Sequence, residues 1–337
     1  MKVFQIQGGF GFDALKLVER EAPSAGPGEV VVRMRAASLN YRDLLVVRGQ
    51  YNPRMPLPRV PLSDGAGEVV EVGAGVNEWK IGDRVAGCFF QDWAAGPLTD
   101  RAAKSALGGA IDGVAAELAA FRREGLVRVP GHLSWQEAAT LPCAALTAWH
   151  ALIEGGLRPG QSVLTLGTGG VSLFALQFAK LAGARVIITS GQDDKLARAL
   201  ELGADAGINY RSQPEWDRRV RELTGGEGVD QVVELGGAGT LPLSMRAVRT
   251  GGRINLIGVL SGAAGEVNPL PAVMRGLTIQ GIYVGSRSMF EAMNRALELH
   301  KVHPIIDRSF AWQDLPAALS YMESAQHLGK IVLNFAE

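Results

Sequence analysis

The strand-like run Val163-Leu164-Thr165-Leu166 breaks into Gly167-Thr168-Gly169-Gly170-Val171-Ser172 and then continues as an apolar stretch to Ala182. No other segment restricts the fold of this chain so strongly. Glycine is required where a chain turns sharply from strand into helix, and again where backbone must approach a pyrophosphate lying at the helix N-terminus. Gly167 and Gly169 occupy those two places. Ser172 stands where a third glycine commonly permits close helix packing, and it is small enough to do the same. From Pro159 to Ala179 there are 21 residues without a charge, a length that would admit a membrane span. Gly167, Gly169 and Gly170 divide it instead into a strand, a tight turn and a helix, and no membrane segment is expected.

A glycine-rich string by itself is a weak signal, and its surroundings decide its meaning. Apolar runs recur at Ser162–Leu166, Arg185–Thr189, Ala206–Asn209, Gln231–Glu234, Arg253–Ile257 and Thr278–Gly281. Helical patterns separate most of them, at Val171–Ala182, Asp194–Leu202, Glu215–Leu223 and Thr240–Ala247. Short buried strands alternating with crossover helices specify an α/β protein with a doubly wound parallel sheet. The first 130 residues have a different texture, with valine-rich runs at Val30–Arg35 and Gly67–Val72 and turn-bounded strands near Gly82–Gly87 and Gly125–Val129. They predict an antiparallel, barrel-like β domain. Ser134 and Glu137 form a capping-box pattern opening a helix to about Thr140, and a second helix, broken from it by Pro142, covers Cys143–Glu154. Beyond the sixth sheet strand, helices near Ser288–His300 and Leu315–Ser324 and a strand at Gly329–Phe335 must pack elsewhere.

Basic and acidic side chains balance at 34 each, which leaves no electrostatic footprint for nucleic acid. Cys88 and Cys143 are the only cysteines, too few for a disulfide framework or a cysteine-rich structural zinc site, and they suit a reducing, cytoplasmic setting. The opening MKVFQIQGGF lacks the apolar core of a signal peptide.

The end of the second sheet strand selects the nicotinamide cofactor. An acid there would accept the ribose hydroxyls of NAD and repel a 2′-phosphate. Ser190 and Gly191 take that place in RVIITSGQDDK, with Lys195 shortly after, while Asp193 and Asp194 fall where they would cap the next helix. Tyr210 ends the third strand on the same edge. NADP(H) is the expected cofactor; on the other reading Lys195 is only a solvated helix charge.

SLNYRDLL at 38–45, DGAGEVVEVGAGV at 64–76, GDRVAG at 82–87, AATLPCAALTAWHAL at 138–152, GTGGVSLFALQFAKLAGARVI at 167–187, LGADAGINY at 202–210, GGRINLIG at 251–258 and LGKIVL at 328–333 span nearly the whole chain. Together they resemble the medium-chain dehydrogenase/reductase superfamily, in its zinc-free, quinone-oxidoreductase-like branch. The resemblance implies a GroES-like β-barrel catalytic domain from residues 1–130 and 284–337 and a Rossmann domain from 131–283. It also implies a substrate cleft between them and a homodimer formed through the strand near Thr278–Val284. It places Asn40 and Tyr41 beside the nicotinamide, Tyr51 in the substrate cleft and Thr147 behind the ring. Gly258, Val259, Val284 and Gly285 match the backbone that grips the carboxamide.

The positions that hold catalytic zinc in other members match Asn40, Ser63 with Asp64, and Cys143, which is short of three good ligands, so no metal is expected. Asp64 reads as a catalytic acid, a turn residue or a partner for Arg42, and Tyr51 as either a substrate contact or a packed loop residue. Asp43 reads as orienting its neighbours, and Cys143 as an inert buried thiol. Phe89, Phe90 and Trp93 form either an aromatic cleft wall or core. The resemblance implies NADPH-dependent hydride delivery to a quinone or α,β-unsaturated carbonyl. The alternatives are a zinc-less alcohol or carbonyl dehydrogenase and a non-catalytic NADPH-binding protein.

Overall fold

The computed structural model describes residues 1–262 and 264–335. The chain divides into two units, Met1–Leu146 with Val284–Glu337, and Thr147–Tyr283.

In the first unit, β1 (Lys2–Ile6) and β2 (Leu15–Glu19) form an antiparallel ribbon that the sequence pattern did not announce. The next strand, β3 (Glu29–Ser38, EVVVRMRAAS), is rich in β-branched and apolar residues and is buried along most of its length. Ten residues let it pair with several neighbours. Those that follow it are β4 (Asp64–Val72), β5 (Arg84–Gly87), β6 (Leu118–Arg122) and β7 (Leu126–Arg128).

The second unit holds β8 (Ser162–Thr165), β9 (Arg185–Ser190), β10 (Ala206–Asn209), β11 (Val229–Glu234), β12 (Val248–Leu256) and β13 (Thr278–Gly281). They form one parallel sheet of six strands in the order β10-β9-β8-β11-β12-β13, so the chain starts in the middle and winds outward both ways. One register row crosses it as Ile187, Leu164, Val232 and Ile254, all fully buried. The row continues to Ile279 on β13, which is 40% exposed.

The chain then returns to the first unit with β14 (Ile306–Ala311) and β15 (Lys330–Asn334). The resulting seven-stranded sheet runs β14-β15-β3-β4-β5-β7, with β6 also on β3. All its pairs are antiparallel except β14 with β15. Both chain ends enter its core: Trp312 meets Phe4 edge-on at 5.7 Å and stacks on Phe335 at 4.8 Å.

Residues 131–146, expected with the sheet domain, lie in the first unit. Their capping box forms, with Glu137 accepting from the Ser134 amide at 2.8 Å, and the helix Trp135–Ala139 packs on β3, β4 and β15. Apolar contact with that sheet outweighs the change of texture at Pro130 that suggested the boundary. Two helical stretches are separate, as expected, but the break falls at Thr140, the C-cap of Trp135–Ala139, and Pro142 lies inside the second stretch. It sits at the start of a wide π turn, Leu141–Ala145, where its missing N–H goes unused. Among the described residues no helix is long and apolar enough to cross a membrane.

Candidate active site

In the second unit the turn after β8 is tied down from inside and open outside. Gly167 has φ +80°, a left-handed conformation that favours glycine, and its amide donates to Thr189 Oγ1 at 3.2 Å. Ser172 is fully buried and its hydroxyl donates to the Leu166 carbonyl at 2.7 Å, so the residue replacing the third glycine locks helix to strand. Thr168 is buried as well, whereas Gly170 and Val171, heading the helix Gly170–Leu181, are partly exposed. A Cβ on Gly169 would meet nothing within 4 Å, and one on Gly167 only Ser172 Oγ at 4.0 Å. No side chain caps this helix, which leaves first-turn amides facing the open space. The turn therefore fits a dinucleotide pyrophosphate.

At the end of β9, Ser190 is buried and accepts from the Gln192 amide at 3.2 Å. No acid follows directly. Asp193 does not cap the next helix as the sequence suggests; it is the first residue of Asp193–Glu201, and its carboxylate accepts from Asn209 Nδ2 at 2.7 Å. Lys195 lies in that helix's first turn, half-buried. The Tyr210 amide donates to the Ser190 carbonyl at 3.0 Å, and its ring is 42% exposed.

Glu234, which the sequence reading passed over, organises the neighbouring loop. It is fully buried at the end of β11 and accepts from the amides of Gly236 and Gly237 at 2.8 and 3.1 Å, and from the hydroxyls of Thr240 and Ser244. The Gly258 amide donates to the Glu234 carbonyl at 3.2 Å, and a Cβ on Gly258 would collide with the Leu235 carbonyl oxygen. Val259 beside it is 48% exposed, and Thr147 is buried.

The first unit contributes a buried polar cluster where β3, β4 and β15 meet. Ser38 pairs with both Asp64 and Val332, and this register brings the ends of the three strands together. Asn40 precedes the helix Tyr41–Val47, and its amide donates to Asp43 Oδ2 at 2.8 Å. Lys330 Nζ donates to Asn40 Oδ1 and to the Leu39 carbonyl, each at 2.7 Å. Asn40 Nδ2 points to Ser63 Oγ at 3.4 Å, and that hydroxyl donates to Asp64 Oδ1 at 2.7 Å. The Cys143 amide donates to Asp64 Oδ2 at 3.0 Å.

Asp64, Ser63 and Asp43 are fully buried, and Asn40 and Lys330 nearly so. Burial pushes the Asp64 carboxyl up, against the pull of Lys330 and its hydrogen bonds, and pushes Asp43 from 3.8 up to about 6, against the pull of Arg42. Burial pulls Lys330 down, opposed by Asp64, and pushes the Cys143 thiol up, aided by Asp64. Asp64 is neither a turn residue nor a partner for Arg42. It starts β4, and Arg42 faces Asp43 at 3.9 Å instead. With both oxygens engaged and no exposed surface, Asp64 presents no acid to solvent. Tyr41 and Tyr51 are exposed, at 44% and 40%, and the Arg42 guanidinium lies 5.0 Å from the Tyr51 ring centre. Phe89, Phe90 and Trp93 are buried and packed edge-on, which makes them core. Val284 is buried at φ +55°, a strained conformation for a β-branched residue, and Gly285 lies where a Cβ would come 2.8 Å from Leu146.

Residues 26–131 match the model of the alcohol dehydrogenase GroES-like domain, and 170–299 that of zinc-binding dehydrogenase. A zinc-type alcohol dehydrogenase-like protein of Schizosaccharomyces pombe is 45% identical over 332 residues, 96% of each chain. The chain belongs to the medium-chain dehydrogenase/reductase superfamily. It is an oxidoreductase of that family, with a GroES-like domain and a Rossmann-type parallel sheet. A quinone oxidoreductase-like protein 2 of Rattus norvegicus is 29% identical over 323 residues, covering 92% of this chain and 85% of its own. A solved structure from Sinorhizobium meliloti 1021, provisionally named an alcohol dehydrogenase, superposes with TM-score 0.92 at 41% identity over 99% and 98% of the two chains. A structure described as an NAD-dependent alcohol dehydrogenase superposes at 0.91 with 35% identity over the full length of both.

Catalytic zinc in this superfamily needs at least three protein ligands. Among the described residues no three His, Cys, Asp or Glu side chains converge on one point. The matching positions carry an amide, a hydroxyl, an engaged carboxylate and a thiol pushed toward its protonated form, with an ammonium touching the amide. This donor set does not fit a catalytic zinc site. Lys330 was missed from sequence although it is a charge heading an apolar strand, KIVL, which is itself a signal.

Proposed function

We propose that the protein is an NADPH-dependent oxidoreductase that delivers hydride to quinones or α,β-unsaturated carbonyls without a metal. One observation carries the reading: an amide, ammonium and carboxylate cluster stands at the positions where zinc ligands would be. When bound, the reduced nicotinamide supplies the hydride. An acceptor that spreads negative charge onto oxygen needs hydrogen-bond donors and a proton more than a Lewis acid. An ammonium only donates, so Lys330 holds Asn40 by its oxygen and leaves Nδ2 as the donating end. Tyr41 and Tyr51 carry exposed phenols and are the candidate proton sources. Asp64 acts by holding Ser63 and the Cys143 amide.

NADPH in preference to NADH is supported by Ser190 and Gly191 in place of an acid, with Lys195 and Tyr210 nearby. The unpaired cysteines suit a reducing compartment. We also propose a homodimer formed through β13, an edge strand exposed along its length beside exposed Val273 and Met274.

A second reading, a zinc-less alcohol or carbonyl dehydrogenase, draws on the name of the fission yeast relative. A single set of assays separates these. NADPH consumption with 1,4-benzoquinone and an enone is expected to exceed that with an aldehyde or ketone at least tenfold, and protein purified without added metal is expected to hold no stoichiometric zinc. Turnover of an alcohol, aldehyde or ketone with none of quinone or enone would establish the second reading, and one zinc per chain would overturn the metal-free mechanism. Tight NADPH binding without turnover of any acceptor would mark a binding protein that is not an enzyme.

A further inference from the structure

We propose that Arg211 is a specificity-determining cation of the cofactor site, gripping the 2′-phosphate from above Gly191. The inference rests on the NADPH reading and adds to it a residue that the strand-end pattern does not reveal.

Arg211 follows β10 immediately after Tyr210, and its amide donates to Asn209 Oδ1 at 3.0 Å. Its side chain turns back across the sheet edge toward β9. A Cβ placed on Gly191 would lie 2.8 Å from Arg211 Nε and 2.8 Å from the Tyr210 hydroxyl. A guanidinium and a phenol thus converge over the one residue that directly follows Ser190, and any side chain at 191 would push them away. Glycine here does more than omit an acid: it makes the space in which the two groups meet.

The acid that follows Gly191 most closely in the chain is engaged elsewhere. Asp193 is held by Asn209 Nδ2 at 2.7 Å, and the same Asn209 positions the Arg211 backbone through its oxygen. One asparagine therefore diverts the acid and places the base. Arginine suits the task because its planar fork can bond two phosphate oxygens at once, which a lysine ammonium, as a point charge, cannot. Lys195, in the first turn of the helix that follows Gly191, would supply the second cation.

The test is equilibrium binding to the full-length protein, read by nicotinamide fluorescence for NADPH and NADH and by competition for 2′,5′-ADP and 5′-AMP. Arg211→Ala is expected to weaken NADPH and 2′,5′-ADP by about tenfold or more, the loss of a charge-assisted pair, and to change NADH and 5′-AMP by less than about twofold. Arg211→Lys should recover only part of the loss. An unchanged melting temperature shows that the variants fold. Equal weakening of all four ligands would mean that Arg211 contacts the adenosine common to them, and would overturn the proposal. So would a wild type that prefers the phosphorylated pair while Arg211→Ala retains that preference. If the wild type binds NADH and 5′-AMP as tightly as their phosphorylated counterparts, the NADPH reading itself fails.

Discussion

Asn40 is held at three points, by Asp43 through its backbone amide, by Lys330 through its side-chain oxygen and by Ser63 through its side-chain nitrogen. Removing the ammonium leaves two buried carbonyl oxygens without their donor and Asp64 without the nearby positive charge that lowers its carboxyl. Lys330→Met should therefore lose about 3 kcal/mol of stability in urea unfolding. Its turnover should fall more than its NADPH affinity if Asn40 acts on the acceptor. Asp43 allows a sharper test. Its carboxyl is raised from 3.8 to about 6, so the folded protein holds the proton more tightly than the unfolded chain does. Ionising it opposes folding, and wild-type stability should fall relative to Asp43→Asn as pH rises from about 4 to about 6, by about 3 kcal/mol in all. A constant difference in melting temperature between the two proteins across that range would show that Asp43 titrates normally. Of this cluster, Asn40, Asp43, Ser63, Asp64 and Cys143 were singled out from the sequence, whereas Lys330 fell within the string LGKIVL without a role, 290 residues from Asn40 in the chain. Nothing local in the sequence pairs residues so far apart.

Elements with a strong period and strong punctuation were legible. The six strands of the parallel sheet and the glycine turn lie where the apolar runs and glycines put them, because buried parallel strands need nearly continuous apolar residues. The turn also makes a prediction specific to ligand binding. Gly169 has ordinary extended backbone and nothing within 4 Å of a would-be Cβ, so Gly169→Ala should leave the melting temperature nearly unchanged. It should weaken NADPH and NADH alike by about tenfold, since the added methyl meets only the bound pyrophosphate. A destabilised variant, or one with unaltered binding, would contradict the assigned geometry. Weaker elements were not legible. The β1–β2 ribbon has its turn marked by Gly8, Gly9 and Gly11 and was still not expected, and Asp193, placed by its sequence as a helix cap, is instead drawn to Asn209. The Glu234 loop is the same case, a buried acid whose four donors come from the residues that follow it.

At the scale of the molecule, the register row Ile187, Leu164, Val232 and Ile254 is buried and ends on the exposed Ile279. An apolar row running off an open sheet edge invites pairing with a second copy. Sedimentation should show a dimer, and Ile279→Lys with Met274→Glu should shift it to monomer while leaving each chain folded. A wild-type monomer at micromolar concentration would refute the assembly. The interleaved domains are a further decision made at this scale. Composition, periodicity and the glycine turn were enough by themselves to specify a parallel sheet with a glycine-rich turn after its first strand, and a separate β domain, because those features act locally along the chain. Only the tertiary structure assigned residues 131–146 to the first unit, paired β15 with β3, and brought Lys330 to Asn40. Each depends on burying one surface against another far away in sequence, and local pattern carries no record of which partner that will be.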